Sequence, residues 1–146
     1  MTISVSISIA RPPTEVWAYL ESIGRHVEWM GDAEAIRFVT EQQTGIGTIF
    51  ECDTKVGPFR LVDVMEITAW APPREMGVRH RGLVEGEGHF TVEPNQDGFT
   101  QFGWTETLKF PWWMGGPVGG LVANPILRAI WRSNLKRLKL IVEQRP

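Results

Sequence analysis

A chain of 146 residues with 42% hydrophobic content can bury a sizeable core but is too short for two domains, so one domain over residues 1–146 is expected. A net charge of −2 and a pI near 5.9 exclude a nucleic-acid binder, which needs a basic surface to neutralise phosphates. The lone Cys52 excludes an internal disulfide, no charged-then-apolar leader precedes the first strand, and the longest uncharged run, Phe110 to Leu127, is interrupted by glycines and prolines; a cytoplasmic protein without a membrane span is expected.

Ile3, Val5, Ile7 and Ile9 alternate with Ser4, Ser6 and Ser8, the period of a strand buried on one face. Arg11-Pro12-Pro13-Thr14 breaks it and opens a short helix whose Val16, Trp17 and Leu20 share a face, and a second helical turn is expected over Ser22 to Trp29. A strand over Glu34 to Phe38 turns at Gly45-Ile46-Gly47 into another that carries Thr48, Phe50, Cys52 and Thr54 on one side. After Gly57-Pro58 comes a longer strand, Phe59 to Trp70. Leu61, Asp63, Met65 and Ile67 take one of its faces, and because Val62 and Val64 make the other apolar too, the pattern leaves its orientation open.

Ala71-Pro72-Pro73 ends that strand, since a proline pair cannot sit in a central ladder. Glu75 to Arg81 and Leu83 to Glu93 read as the next two strands, Asn95 to Gly98 as a hairpin turn, and Thr100 to Phe110 as the last strand. The chain then closes with an amphipathic helix over Asn124 to Val142. Asn124 suits its N-cap and Pro125 its first position, and Leu127, Ile130, Trp131, Asn134, Leu138 and Ile141 form one face. So wide an apolar stripe has to lie on the preceding strands. Seven tryptophans also need an apolar place, which a large pocket or thick core supplies.

This order, together with Pro13 and Val16-Trp17, Trp29, Gly45-Ile46-Gly47-Thr48, Trp70-Ala71-Pro72-Pro73, Gly86-Glu87-Gly88 running into Phe90-Thr91-Val92-Glu93-Pro94, and Asp97-Gly98 leading to Trp104, resembles the START-like or SRPBCC superfamily, most closely its polyketide cyclase/dehydrase and lipid-transport branch. The resemblance implies an α+β helix-grip (Bet v 1-like) fold: a curved seven-stranded antiparallel sheet, two short helices after strand one, and a long C-terminal helix across the concave face. It also implies a hydrophobic ligand held between helix and sheet. Some members are cyclases or aromatases, but the family has no catalytic motif to carry over.

Within that frame the ligand-binding residues are expected to be Phe50, Cys52, Met65, Phe90, Phe102, Trp104, Leu127, Trp131 and Leu138, with Glu106 and Asn134 orienting a polar end. Glu106 interrupts the stripe Phe102, Trp104, Leu108 and Phe110. Facing a cavity it is a candidate general acid or donor to a ligand carbonyl; otherwise it meets an arginine or ends its strand near solvent. Asp63 poses the same question. His80 shares a face with Met76 and Val78 and is the other catalytic candidate, against the simpler reading of a satisfied core histidine. His26 lies in a polar turn that says nothing of its role.

Glu85, Glu87 and His89 share a strand face, but Phe90 and Val92 claim the opposite face for the core, so the trio is expected in solvent, and no metal or cofactor is expected. Cys52 has no neighbouring base and reads as core filling. Asn134 is a buried amide that bonds either a ligand or a strand carbonyl. Pro111-Trp112-Trp113-Met114-Gly115-Gly116 reads as a lid, a patch for membrane or another subunit, or a packed loop. Three functions follow: a binder of a hydrophobic small molecule, lipid or polyketide-like; a cyclase or dehydratase using Glu106 or His80; or an interaction module acting through Trp112 and Trp113.

Overall fold

The computed structural model describes residues 1–146. Strand β1 (Thr2–Ile9) leads into α1 (Pro13–Leu20) and a 3-10 turn (Ile23–Glu28), followed by six strands: β2 (Ala33–Phe38), β3 (Ile49–Val56), β4 (Phe59–Ala71), β5 (Glu75–Arg81), β6 (Glu85–Pro94) and β7 (Thr100–Lys109). A second 3-10 turn (Trp112–Met114) precedes helix α2 (Gly116–Gln144). All neighbours pair antiparallel in one sheet of order β1-β7-β6-β5-β4-β3-β2, so β2 to β7 form a meander and β1 closes the order beside β7. This is the helix-grip architecture, with α2 held against the sheet.

The serine and isoleucine alternation of β1 becomes two environments. Ile3 and Ile9 are fully buried, while Ser4 and Ser8 stand outside and bond Thr105 Oγ1 and Gln101 Oε1 on β7. α2 buries Trp131, Leu135, Leu138 and Val142 at helical spacing. Its outer cations serve the sheet edge: Arg128 Nη1 donates to Ser4 O at 3.1 Å and Lys139 Nζ to Ser8 O at 2.7 Å, occupying carbonyls that an edge strand leaves without partners. Each large side chain taken fully out of water, among them Trp29, Phe102 and Leu138, contributes on the order of 1.5–3 kcal/mol.

Helix α2 starts at Gly116, eight residues before the expected Asn124. Two prolines suit a first turn, and Pro117 takes that role, where a missing N–H costs nothing. Gly115, in the left-handed region at φ 93, provides the bend into the helix. Pro125 lies inside the helix, and Val118, Val122 and Ile126 before and after it are exposed residues on the cavity side, with Leu127 and Trp131 following toward the sheet. β4 turns Leu61, Asp63, Met65 and Ile67 toward α2 and leaves Val62 exposed, which settles the orientation that its two apolar faces left open.

Candidate functional site

Between α2 and the sheet lies a cavity of about 580 Å³, reached past the β3–β4 hairpin and the first turns of α2. Period-two alternation delivers the sheet side of its wall: Phe50, Cys52 and Thr54 from β3, Leu61, Asp63 and Met65 from β4, Met76, Val78 and His80 from β5, and Trp104, Glu106 and Leu108 from β7. α2 adds Val118, Val122, Ile126, Leu127 and Trp131. Aromatic rings floor one end. Trp104 stacks on Trp131 with centroids 4.6 Å apart and planes at 15°, and Phe90 meets Trp104 edge-on at 5.4 Å.

Of the residues expected to touch a ligand, Phe50, Cys52, Met65, Phe90, Trp104, Glu106, Leu127 and Trp131 stand on this wall. Phe102 and Leu138 do not; both are fully buried in the core behind it. Asn134 is also set back. Its Oδ1 accepts from Gly31 N–H at 3.0 Å and its Nδ2 donates to Asp32 Oδ1 at 2.8 Å, so the amide ties α2 to the loop before β2 instead of reaching inward. The residue from that pair on the wall is Asp32, which sequence reasoning passes over. Burial, the main influence, holds its carboxyl above the usual carboxylate range, and the Asn134 hydrogen bond works in the opposite direction.

The polar pole of the cavity is built on three strands. His80 on β5 lies between Asp63 on β4, Nδ1 to Oδ2 3.7 Å, and Glu106 on β7, Nε2 to Oε2 3.2 Å. Glu106 thus meets neither an arginine nor solvent. Its other oxygen accepts from Trp104 Nε1–H at 3.0 Å. Strand β6 separates β7 from β5, and Glu106 crosses it over Gly88, where a Cβ would lie 2.9 Å from Glu106 Cγ. Gly82 does the same for Asp63, since a Cβ there would stand 2.9 Å from Asp63 Oδ1. Two missing side chains therefore let both carboxylates lean on one imidazole.

His80 and Glu106 are each 7% exposed. Burial is the largest single influence on His80 and opposes its charge, but the contacts with Asp63 and Glu106 together outweigh it and push the imidazole up to about 10. The ring is an imidazolium at neutral pH. Its Nε2–H points off the Glu106 oxygen, so that contact is Coulombic rather than a directed hydrogen bond.

His26, uninformative in the sequence, is a second buried imidazole on the wall, edge-on to Phe90 at 5.8 Å. Its Nε2 lies 2.7 Å from Leu20 O, and because a carbonyl only accepts, that nitrogen carries the proton. Burial pushes its pKa down to about 4, so it is neutral. Burial likewise pushes the Cys52 thiol up to about 11, which leaves it protonated and poorly nucleophilic. Glu87 and His89 pair outward with Arg79 at 3.7 Å and Glu75 at 3.0 Å. Trp112 and Trp113, neither of them on the cavity wall, are 86% and 58% exposed, which rules out packing beneath their loop. No helix is long and apolar enough to cross a membrane.

The family model described as "Polyketide cyclase / dehydrase and lipid transport" matches residues 1–143. No curated protein matches the chain in sequence. Among solved structures, a protein of Thermus thermophilus superposes with a TM-score of 0.81 at 16% identity, covering 97% of each chain. The Zhui aromatase/cyclase of a Streptomyces species superposes at 0.75 and 16% identity, over 99% of this chain and 94% of that one. Ara h 8.0201 does so at 0.70 and 13%, over 99% of both. At such identities the likeness is one of fold.

Proposed function

Because the chain belongs to the polyketide cyclase/dehydrase and lipid transport family, we propose that it binds a hydrophobic small molecule, lipid or polyketide-like, in the cavity between α2 and the sheet. The observation that carries this reading is an apolar, aromatic-floored cavity of about 580 Å³ with its fixed charges gathered at buried side chains. Burial of each large apolar group of a ligand supplies on the order of 1.5–3 kcal/mol, and the polar pole orients the remainder. Native mass spectrometry and solvent extraction of the purified protein, with titration by a hydrophobic dye, test it. Recovery of an apolar guest or saturable dye binding supports the reading; neither in a folded sample refutes it.

His80 favours a second reading, a cyclase or dehydratase in which it moves a proton. As an imidazolium it serves as a general acid toward a ligand carbonyl or departing hydroxyl, and Glu106 holds it in that state. His80→Gln and Glu106→Gln should each lower turnover of a poly-β-ketone substrate by about 100-fold or more. Undiminished turnover in both variants ends that reading.

A further inference from the structure

Resting on the reading of this cavity as a ligand site, we propose that it sorts guests by charge, admitting molecules with an uncharged alcohol, phenol or ketone end and rejecting organic anions such as carboxylates. The wall carries three carboxyl groups, Asp32, Asp63 and Glu106, and neither lysine nor arginine. They come from three separate elements, so no single rotamer change removes their field. The charge of His80 is already shared between Asp63 and Glu106 at 3.7 and 3.2 Å, and His89, also on the wall, is paired with Glu75 at 3.0 Å.

A ligand carboxylate placed at that pole would be a third anion around a single imidazolium, in a setting where water cannot screen the repulsion. His26 gives no relief, because burial keeps it neutral. Nearby arginines are engaged elsewhere: Arg137 donates to Trp29 O at 3.1 Å, Arg37 to Asp53 at 2.8 Å, and Arg79 pairs with Glu87. An uncharged oxygen meets none of this repulsion. It can also accept from or donate to the polar groups it finds.

The test uses two fluorescent probes with the same frame, pyrenebutanol and pyrenebutyrate, titrated into the full chain near pH 7.5 and followed by energy transfer from tryptophan. The alcohol should bind at least tenfold tighter. Since any apolar cavity penalises an ion, the decisive readout is how removal of wall charge changes each probe. In Asp32→Asn, and independently in Asp32→Ala, both of which leave the pairing of His80 with Asp63 and Glu106 in place, the ratio of pyrenebutanol to pyrenebutyrate affinity should fall by about tenfold.

Equal or tighter binding of pyrenebutyrate to the native chain overturns charge sorting and leaves the ligand site standing. So does a preference for the alcohol that neither variant alters, which would be desolvation alone. Failure of both probes to bind the folded native chain overturns the ligand site, and charge sorting with it. Either variant suffices for the readout should the other fail to fold.

Discussion

The buried imidazoles make folding stability a peaked function of pH. In the folded protein His80 holds its proton up to about 10, against 6.5 for an ordinary histidine, through Asp63 and Glu106. Its contribution is fully present below pH 6.5 and is lost as pH rises through 10. Each tenfold gain in proton affinity is worth about 1.4 kcal/mol, so the whole effect is on the order of 5 kcal/mol, and roughly 2–3 kcal/mol disappears between about pH 7 and 9. Cys52, held up to about 11 from an ordinary 9, adds to the alkaline loss only above that window. His26 acts with opposite sign: pushed down to about 4, it stabilises fully above pH 6.5 and loses its contribution as pH falls through 4, on the order of 3 kcal/mol.

Urea unfolding at a series of pH values measures this directly. The native chain should be most stable near pH 6–7 and fall by roughly 2–3 kcal/mol toward pH 9. His80→Gln should be less stable at neutral pH, because it leaves Asp63 and Glu106 without their cation, and its curve should be flat from pH 7 to 9. Gly88→Ala should give a partial version, since its methyl displaces Glu106 from the imidazole. A native curve already flat from pH 7 to 9, or a His80→Gln curve with the native slope, would refute the imidazolium account.

Asn134→Ala leaves Gly31 N–H without its acceptor and Asp32 without its donor, at a cost of about 1–3 kcal/mol, read as a lower melting temperature. Probe affinity should change little, because the amide does not face the cavity. Trp112 and Trp113 contribute little to the core, so replacing both by serine should keep unfolding free energy within about 0.5 kcal/mol. The same double variant should abolish any adsorption of the chain to anionic phospholipid vesicles. Undiminished adsorption would place that contact elsewhere.

What the sequence discloses follows the range of the forces involved. The Ile and Ser alternation of β1 and the stripe Phe102, Trp104, Glu106 and Leu108 are local patterns, and they orient both strands correctly. The neighbours of Glu106 are not local. His80 precedes it by a full hairpin, and the two meet because the β5–β6–β7 register places Gly88 beneath the carboxylate. Asp63 is ambiguous in sequence because Val62 and Val64 make its strand apolar on both faces, and only the docking of α2 chooses between them. His26 has polar neighbours along the chain, yet Leu20 O and the rings of Trp29 and Phe90 enclose it. The one local signal for the polar pole is the pair of glycines, Gly86 and Gly88, inside a strand, where glycine is costly unless something passes close above it.

The face-to-face indoles of Trp104 and Trp131 come from opposite layers, one from the sheet and one from α2, at a centroid distance of 4.6 Å. Indoles at this spacing couple their electronic transitions, as do Trp29 with Trp104 at 5.7 Å and Trp17 with Trp70 at 5.2 Å, so the aromatic circular dichroism reports in part on how the helix is seated. The molecule therefore carries its own optical gauge. Moving the helix away from the sheet, whether by an occupant or by early unfolding, would weaken the share of that signal that comes from Trp104 and Trp131.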